Sequence, residues 1–280
     1  MHNAAISVLG LNWAYVALEV DPAQLGQAIA GAKATRFIGL NLTVPHKLIA
    51  MDCVDLLAES AREWGAVNTI VFEGRNSQGE WSPLRLWEGQ SPLEIRSVGH
   101  NTDVDGISRS LTEDVGMELK GATVLLLGAG GAGRSAALKM ASEGVETLFL
   151  INRTAEKADI VASEIRRRFP AVRIHVGYPD AANQPLDLVL NATSLGLKQT
   201  DPLPLDLERV RLEYVKRVYD MIYRPAETPL LSLAKSSGCM AANGLGMLLH
   251  QGAGALELWT GVTAPVEVMK EALMKNIYGI

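Results

Sequence analysis

The chain has 280 residues, a formal net charge of −5 and a hydrophobic fraction of 48%. Its length suits one large α/β domain or two smaller domains, and its composition is that of an ordinary globular protein. The composition excludes a disordered or low-complexity chain, and the acidic charge balance argues against nucleic-acid binding. The two cysteines, Cys53 and Cys239, cannot form a disulfide framework and lack metal-ligand spacing, so we expect no metal site.

Neither a membrane-spanning segment nor a signal peptide is indicated. No apolar run reaches the roughly 18 residues that a spanning helix needs. The opening residues Met1-His2-Asn3 lack the basic start and the apolar core of a signal peptide. We therefore expect a cytoplasmic protein, a monomer or homodimer, with small-molecule ligands and no nucleic-acid or membrane partner.

Strand-like and helix-like stretches alternate, which predicts an α/β fold with mostly parallel sheets. Residues 74–94, rich in Gly, Ser, Pro and charge, indicate a hairpin or a surface insertion that could also serve as a contact surface. Domain boundaries are placed near residues 105 and 247. In chain order, the predicted strands are 13–20, 37–44, 68–72, 97–101, 124–127, 147–151, 172–176, 186–190 and 215–221, and the predicted helices are 22–35, 46–62, 103–115, 133–142, 155–169 and the stretch after 244.

A glycine-rich segment matches the pattern G-x-G-x-x-G. It directly follows an apolar strand and opens a helix, the context in which this pattern indicates dinucleotide binding. Glycines let the backbone turn sharply and approach a pyrophosphate, and the amides at the helix start face the phosphate charge. The alternative is a tight turn without a ligand. The segment consists of Gly128, Ala129, Gly130, Gly131, Ala132 and Gly133.

The residues after the next strand indicate which dinucleotide binds. An acidic side chain there would bind a ribose 2′-hydroxyl, but the chain has Asn152, Arg153 and Thr154 instead. Arg153 can hold a 2′-phosphate through its planar fork of donors, and Lys157 lies one helical turn further on. The predicted cofactor is NADP rather than NAD. The alternative is a solvated basic helix start, although positive charge there opposes the helix dipole.

Lys47 and Asp103 are the candidate proton-transfer pair. Each follows a predicted strand, and ligands of open α/β sheets bind at strand carboxyl ends. An amine and a carboxylate at such an edge suit proton transfer. For either residue taken alone, an ordinary surface charge is the alternative. His46 is interpreted as a neighbour of Lys47 rather than as a participant.

Several short motifs together resemble the shikimate dehydrogenase family, whose members reduce 3-dehydroshikimate to shikimate with NADPH. The motifs occur in the family's order and cover nearly the whole chain. They are Gly39-Leu-Asn-Leu-Thr-Val-Pro-His-Lys47, Gly65-Ala-Val-Asn-Thr69, Asn101-Thr-Asp103, the glycine segment, Asn152-Arg-Thr154, Asn191-Ala-Thr-Ser194, Asp220-Met-Ile-Tyr223 with Thr228-Pro229, and Gly244-Leu-Gly-Met247 with Gln251.

The resemblance implies the fold and the role of each matched residue. The fold would be an N-terminal α/β substrate domain, residues 1–104 completed by 248–280, and a Rossmann-like NADP-binding domain, residues 105–247. The C-terminal helices would pack back on the substrate domain. Lys47 would be the acid/base paired to Asp103, and the substrate would be held by Thr43, Asn68, Asp103, Tyr223 and Gln251. The cofactor would be held by the glycine segment, Asn152, Arg153, Thr154, Lys157, Asn191, Thr193, Ser194, Met221, Gly244 and Met247.

The amino terminus departs from the family pattern. Family members begin with a strand and a Ser-x-Ser-Pro segment whose hydroxyls bind the substrate carboxylate, and Met1-His2-Asn3 resembles the end of that segment. We favour a truncated or internally assigned start over a natural short variant, because a missing inner strand leaves backbone groups unpaired. A piece of a fused enzyme is a third explanation.

Three functions therefore remain open from the sequence. The first is NADP-dependent shikimate dehydrogenase, an oxidoreductase acting on a CH–OH group in chorismate and aromatic amino-acid synthesis. The second is a quinate or quinate/shikimate dehydrogenase using NAD or NADP. The third is a non-catalytic NADP-binding module, which the absent serines allow but which the retained Lys47, Asn68, Asp103 and Gln251 argue against.

Overall fold

The computed structural model describes residues 1–198 and 200–280. The chain divides into two compact units, residues 1–103 with 249–280 and residues 104–248. The first is called the split unit and the second the central unit. Their bounds differ by one residue at each junction from those predicted, and the ligand of each unit stays a prediction. No helix in these described residues is long and apolar enough to cross a bilayer.

The split unit is built on a small mixed sheet. Its strands follow the order β1-β3-β5-β2, with β4 paired to β3. Only the β2–β5 pair is parallel, while β1–β3, β3–β4 and β3–β5 are antiparallel. The elements are α1 (His2–Val8), α2 (Leu25–Ala34), β1 (Gly39–Asn41), α3 (His46–Ile49), β2 (Leu56–Leu57), α4 (Glu59–Trp64), β3 (Thr69–Arg75), β4 (Trp81–Pro83) and β5 (Glu94–His100).

The prediction of mostly parallel sheets is wrong for this unit. Residues 74–94 contain no crossover helix, and without one β5 returns antiparallel beside β3. The segment contributes β4, which forms a hairpin with β3. A hairpin was one of the two structures predicted for it. Its two tryptophans pack within the unit, because Trp87 Nε1 donates to Ser82 Oγ at 3.0 Å and Arg96 lies 4.3 Å from the centre of the Trp81 ring.

The strand predicted over 13–20 is not formed. A strand needs a hydrogen-bonded neighbour, and Val16, Leu18 and Val20 instead line a cavity of about 470 Å³ together with residues of β1. The predicted helix 46–62 is also wrong. It ends after one turn, because the Asp55 carboxylate accepts a hydrogen bond from the backbone N–H of Ser97 at 2.7 Å and draws β2 against β5.

The core of the split unit lies between α2 and the sheet. Leu25 and Ile29 of α2 pack with Ile70 and Phe72 of β3, and each is at most 2% exposed. Helix α10 (Val266–Tyr278) contacts α1. Trp259, near the end of α9 (Leu245–Thr260), donates its indole N–H to the carbonyl of Ile70 at 3.0 Å. The C-terminal helices thus contact β3 and α1 of the split unit.

The central unit is a six-stranded, fully parallel sheet with the order β11-β10-β9-β6-β7-β8. This doubly wound arrangement confirms the predicted α/β class. Helix α8 and strand β11 are absent from the predicted elements. The remaining elements are α5 (Asp103–Val115), β6 (Thr123–Leu127), α6 (Gly131–Ser142), β7 (Thr147–Ile151), α7 (Ala155–Arg168), β8 (Arg173–Val176), β9 (Leu188–Asn191), β10 (Arg217–Asp220), α8 (Pro229–Ser236) and β11 (Met240–Asn243).

Candidate active site

Lys47 and Asp103 meet in the split unit. Lys47 Nζ donates to Asp103 Oδ2 at 2.7 Å, although the residues are 56 positions apart. Their side chains are 27% and 14% exposed, so the pair is shielded but reachable by a small molecule. A charge-assisted bond of this length fixes both groups in one place. An ammonium and a carboxylate held together at an accessible edge can exchange a proton with a bound hydroxyl or ketone.

Backbone hydrogen bonds place this pair. The carbonyl of Lys47 accepts from the N–H of Val67 at 2.9 Å, which ties α3 to the segment before β3. Asn101 Oδ1 accepts from the N–H of Asp103 at 3.1 Å, and Asn101 Nδ2 donates to the carbonyl of Ala66 at 3.1 Å. Asn101 therefore caps the turn at which α5 begins. The negative charge of Asp103 suits the first residue of a helix.

A network of amide and hydroxyl groups surrounds Asn68, which is 1% exposed. Asn68 Nδ2 donates to Thr102 Oγ1 at 2.9 Å and to Gln251 Oε1 at 3.3 Å. Asn68 Oδ1 accepts from the N–H of Thr102 at 2.8 Å, and Thr102 Oγ1 donates to the Gln251 carbonyl at 2.9 Å. Two amide side chains, Asn68 and Gln251, thus face each other in a fixed orientation and offer donors and acceptors suited to a polyhydroxylated ligand.

The other two predicted substrate residues are placed differently. Thr43 is exposed in the turn that precedes α3, and its carbonyl accepts from the N–H of His46 at 2.8 Å. His46 Nε2 lies 2.9 Å from the carbonyl of Val20. Tyr223 belongs to the central unit and is 37% exposed. The split unit alone therefore brings together Lys47, Asp103, Asn68 and Gln251.

The glycine segment forms a tight turn at the carboxyl end of β6. Gly128 has φ +105°, a conformation that favours glycine, and its N–H donates to the carbonyl of Ile151 at 2.7 Å. A Cβ at Gly133 would collide with the Gly128 carbonyl, so this glycine lets α6 approach the turn. A Cβ at Gly130 or Gly131 would meet nothing within 4 Å. These residues leave an open backbone cradle at a helix start, which fits a pyrophosphate.

The residues after β7 form a basic helix start. Asn152 Oδ1 accepts from the N–H of Ala129 at 2.9 Å, which links this strand end to the glycine segment. Thr154 precedes α7 and makes no side-chain cap hydrogen bond. Arg153, Thr154 and Lys157 are exposed, and neither cation has an ion-pair partner within residues 1–198 and 200–280. Their position and charge fit a phosphate on the ribose of a bound dinucleotide.

The other residues assigned to the cofactor lie at or after the ends of three neighbouring strands, β9, β10 and β11. Asn191, the last residue of β9, is 0% exposed, and its Oδ1 accepts from Thr193 Oγ1 at 2.7 Å. Met221 N–H donates to the Asn191 carbonyl at 2.9 Å, and a Cβ at Gly244 would collide with the Met221 carbonyl. Ser194 is exposed, whereas Met247, in the first turn of α9, is partly buried.

Comparisons with known proteins match residues of both units. Residues 1–70 match the model described as "Shikimate dehydrogenase substrate binding domain", and residues 110–195 match "Shikimate / quinate 5-dehydrogenase". Residues 244–274 match "Shikimate 5'-dehydrogenase C-terminal domain". The chain is 40% identical to a shikimate dehydrogenase (NADP(+)) of Symbiobacterium thermophilum over 100% of its own length and 90% of the relative's. The chain belongs to the shikimate dehydrogenase family.

Solved structures of shikimate dehydrogenases share the fold. A shikimate dehydrogenase in complex with NADP+ has a TM-score of 0.81 and 35% identity, over 99% of this chain and 89% of that one. The Thermus thermophilus shikimate 5-dehydrogenase, in complex with NADP(H) and shikimate, has a TM-score of 0.79 and 32% identity. The match covers 98% of this chain and 92% of that one. The family's two-domain architecture, with a Rossmann-like second domain, is therefore that of this chain.

Two polar groups in these clusters had no role in the sequence analysis. Thr102 stands inside the motif Asn101-Thr-Asp103, directly before the predicted Asp103, and its hydroxyl links Asn68 to Gln251. Asp220 opens the motif that ends at Tyr223, and it is 0% exposed with three hydrogen-bond donors. For both residues, the sequence shows a polar residue within a motif at the end of a strand. Only the structure shows the hydrogen-bond partners from which their roles follow.

Proposed function

We propose that this chain is an NADP-dependent shikimate dehydrogenase that reduces 3-dehydroshikimate to shikimate reversibly. The contact of 2.7 Å between Lys47 Nζ and Asp103 Oδ2 carries the proposal, because it supplies a fixed proton-transfer pair beside the amides of Asn68 and Gln251. The split unit would bind the substrate, in agreement with the family model that covers residues 1–70. The central unit would bind the cofactor through its glycine segment.

Lys47 acts as the acid in reduction and as the base in oxidation. Bound NADPH supplies the hydride. Reduction of the ketone places negative charge on its oxygen, and an ammonium beside that oxygen neutralises the charge and gives it a proton. In oxidation Lys47 accepts the proton of the hydroxyl. Asp103 holds the Lys47 amine at the reacting oxygen, since the two side chains already share a charge-assisted hydrogen bond.

Amides and hydroxyls of the split unit would hold the substrate. The Asn68 amide is fixed by Thr102, and its contact of 3.3 Å with Gln251 Oε1 is long enough to yield to a ligand hydroxyl. Gln251 and the exposed Thr43 would bind neighbouring hydroxyls. Tyr223 is assigned to the substrate carboxylate on the basis of the family resemblance alone.

The basic start of α7 supports NADP over NAD. Arg153 and Lys157 are exposed cations at a helix amino terminus, where the helix dipole disfavours positive charge unless an anion is bound. A 2′-phosphate supplies such an anion. Several curated relatives are named as NADP(+) enzymes, which supports the same cofactor here.

The proposal also includes a cytoplasmic location and a monomeric or homodimeric state. The oligomeric state stays a prediction, and light scattering on the purified chain measures it directly.

The test is a two-by-two assay of the purified chain with shikimate or quinate as substrate and NADP or NAD as cofactor. Absorbance of the reduced nicotinamide reports turnover, and fluorescence of NADPH reports binding. We expect the highest kcat/KM with shikimate and NADP. Faster turnover of quinate with NAD would assign a quinate dehydrogenase instead. Binding of NADPH without turnover of either acid would assign a non-catalytic binding module.

A further inference from the structure

Asp220 is a buried carboxylate at the end of β10 that the proposed chemistry does not use. It is 0% exposed, and all three of its hydrogen-bond donors are uncharged. Its Oδ1 accepts from Asn191 Nδ2 at 2.9 Å and from the N–H of Ile222 at 3.1 Å, and its Oδ2 accepts from Thr228 Oγ1 at 2.7 Å. Burial raises the pKa of this carboxyl, because desolvation disfavours the charged form.

On one side, Asp220 fixes the turn after β9. Because Asn191 points its Nδ2 at the carboxylate, its Oδ1 must face the turn, where it accepts from the N–H of Thr193 at 3.0 Å and from Thr193 Oγ1 at 2.7 Å. The same Nδ2 donates to the carbonyl of Leu195 at 3.1 Å. A flipped amide would set its oxygen against the Asp220 carboxylate, so the carboxylate selects one orientation.

On the other side, Asp220 fixes the chain after β10 and the start of α8. Thr228 caps α8 by accepting from the N–H of Leu231 while its hydroxyl donates to the carboxylate. A Cβ at Gly196 would lie 3.4 Å from both Thr228 and Ile222, so the turn after β9 packs against these same residues. One side chain therefore joins three segments.

We propose that Asp220 is a positioning residue for the nicotinamide end of the cofactor. The inference rests on the proposed function, in which the family resemblance assigns Asn191 and Thr193 to the nicotinamide side of the cofactor and Met221 to cofactor binding. Asp220 sets the position of Thr193 through the Asn191 amide, and it sets that of Met221 through the backbone at Ile222. A buried carboxylate with uncharged partners is costly for stability, and such costs concentrate at functional sites.

Two substitutions at Asp220 separate positioning from a loss of fold. Asp220→Asn can keep all three hydrogen bonds, since its oxygen can accept from Asn191 and Ile222 and its NH₂ can donate to the Thr228 hydroxyl. Asp220→Ala removes all three. We expect Asp220→Ala to raise the KM for NADP. We also expect it to lower kcat by about 10- to 100-fold, where kcat is calculated per NADPH-binding site found by titration. We expect Asp220→Asn to recover most of kcat.

A kinetic isotope effect distinguishes positioning from loss of fold. It is measured with NADPH that carries deuterium at the transferred position, and a smaller fraction of folded enzyme leaves it unchanged. Misplacement of the nicotinamide makes hydride transfer slower relative to the other steps, so the isotope effect on kcat rises in Asp220→Ala. If this variant does not fold, Thr228→Val is compared with Thr228→Ser, which keeps the hydroxyl, and the same rise is expected in Thr228→Val alone.

A folded Asp220→Ala or Thr228→Val variant with wild-type kcat per site, cofactor KM and isotope effect would overturn the inference. Wild-type protein that fails to turn over shikimate with NADP would instead overturn the proposed function. The two failures are distinguishable because the first leaves the wild-type activity intact.

Discussion

Lys47 Nζ lies 2.7 Å from Asp103 Oδ2, which joins the one-turn helix α3 to the first residue of α5. The sequence places each residue after a strand, but it cannot show that the two side chains meet. In the structure the two side chains form one ion pair. The pair is held in place by a hydrogen bond from the Val67 N–H to the Lys47 carbonyl and by one from the Asp103 N–H to Asn101 Oδ1.

Removing the charge of Asp103 should slow catalysis without disturbing cofactor binding. Asp103→Asn keeps the shape of the side chain but loses the negative charge that pairs with the Lys47 ammonium. We expect kcat to fall by about 10- to 100-fold while the KM for NADP is unchanged. Steady-state kinetics at saturating shikimate measure this. Asp105→Asn is the control, because that side chain is 75% exposed and should leave kcat as in the wild type.

Arg153 should decide the choice between NADP and NAD. Its guanidinium would bind the 2′-phosphate, and losing one charge-assisted contact costs about 1.5–3 kcal/mol, or roughly 10- to 150-fold in affinity. We expect Arg153→Ala to lower kcat/KM for NADP by that factor and to leave kcat/KM for NAD unchanged. Arg167→Ala, an exposed cation in the last turn of the same helix, is the matched control. Equal losses with both cofactors would contradict the assignment.

Gly131 and Gly133 should respond differently to the same substitution. A Cβ at Gly131 meets nothing within 4 Å, so Gly131→Ala should keep its thermal stability but weaken NADPH binding by about tenfold or more, because the methyl group occupies the cradle. A Cβ at Gly133 collides with the Gly128 carbonyl, so Gly133→Ala should lower Tm. Calorimetry and NADPH titration measure the two effects. Unchanged NADPH affinity in folded Gly131→Ala would count against a phosphate cradle.

His2 should make stability depend on pH. Burial lowers the pKa of its imidazole from 6.5 to about 4, since the ring is 4% exposed and stacks on Tyr15. The folded-state pKa lies below the unfolded-state value, so the unfolded chain binds more protons between pH 4 and 6.5. The free energy of unfolding should therefore fall as the pH falls through that window, by up to about 3 kcal/mol.

The His2→Gln variant isolates this effect. Glutamine can keep the hydrogen bond to the carbonyl of Gly252, which His2 Nε2 makes at 3.1 Å, but it does not titrate. Urea unfolding between pH 4 and 7 should give a flatter pH dependence for this variant. Identical slopes for wild type and variant would show that His2 does not cause the acid sensitivity.

The sequence predicts local structure well where the residue pattern itself marks the element. Strand β6, the glycine segment and α6 are examples, because an apolar run followed by closely spaced glycines is typical of a strand, a tight turn and a helix. The sequence fails where a distant contact decides. The apolar spacing of 46–62 predicts one helix, but Asp55 binds Ser97, which is 42 positions away. Residues 13–20 have strand composition but no strand neighbour.

The candidate site also contains residues that the sequence predicts and residues that it does not. The motifs that resemble the family predict Lys47, Asn68, Asp103 and Gln251. The roles of Thr102 and Asp220 were not found, because each acts through hydrogen bonds to residues distant in sequence. Thr102 binds Gln251, 149 positions away, and Asp220 binds Asn191, 29 positions away. A sequence pattern records which residues are present, whereas these roles depend on which atoms meet.

The most direct test of the account is the rate of shikimate oxidation with NADP by wild type and Lys47→Ala, with NADPH binding measured on both. General acid–base catalysis typically contributes about 10²- to 10⁴-fold, so kcat should fall by that factor while the affinity for NADPH is unchanged. A Lys47→Ala protein that keeps most of the wild-type kcat would contradict the central claim that Lys47 moves the proton.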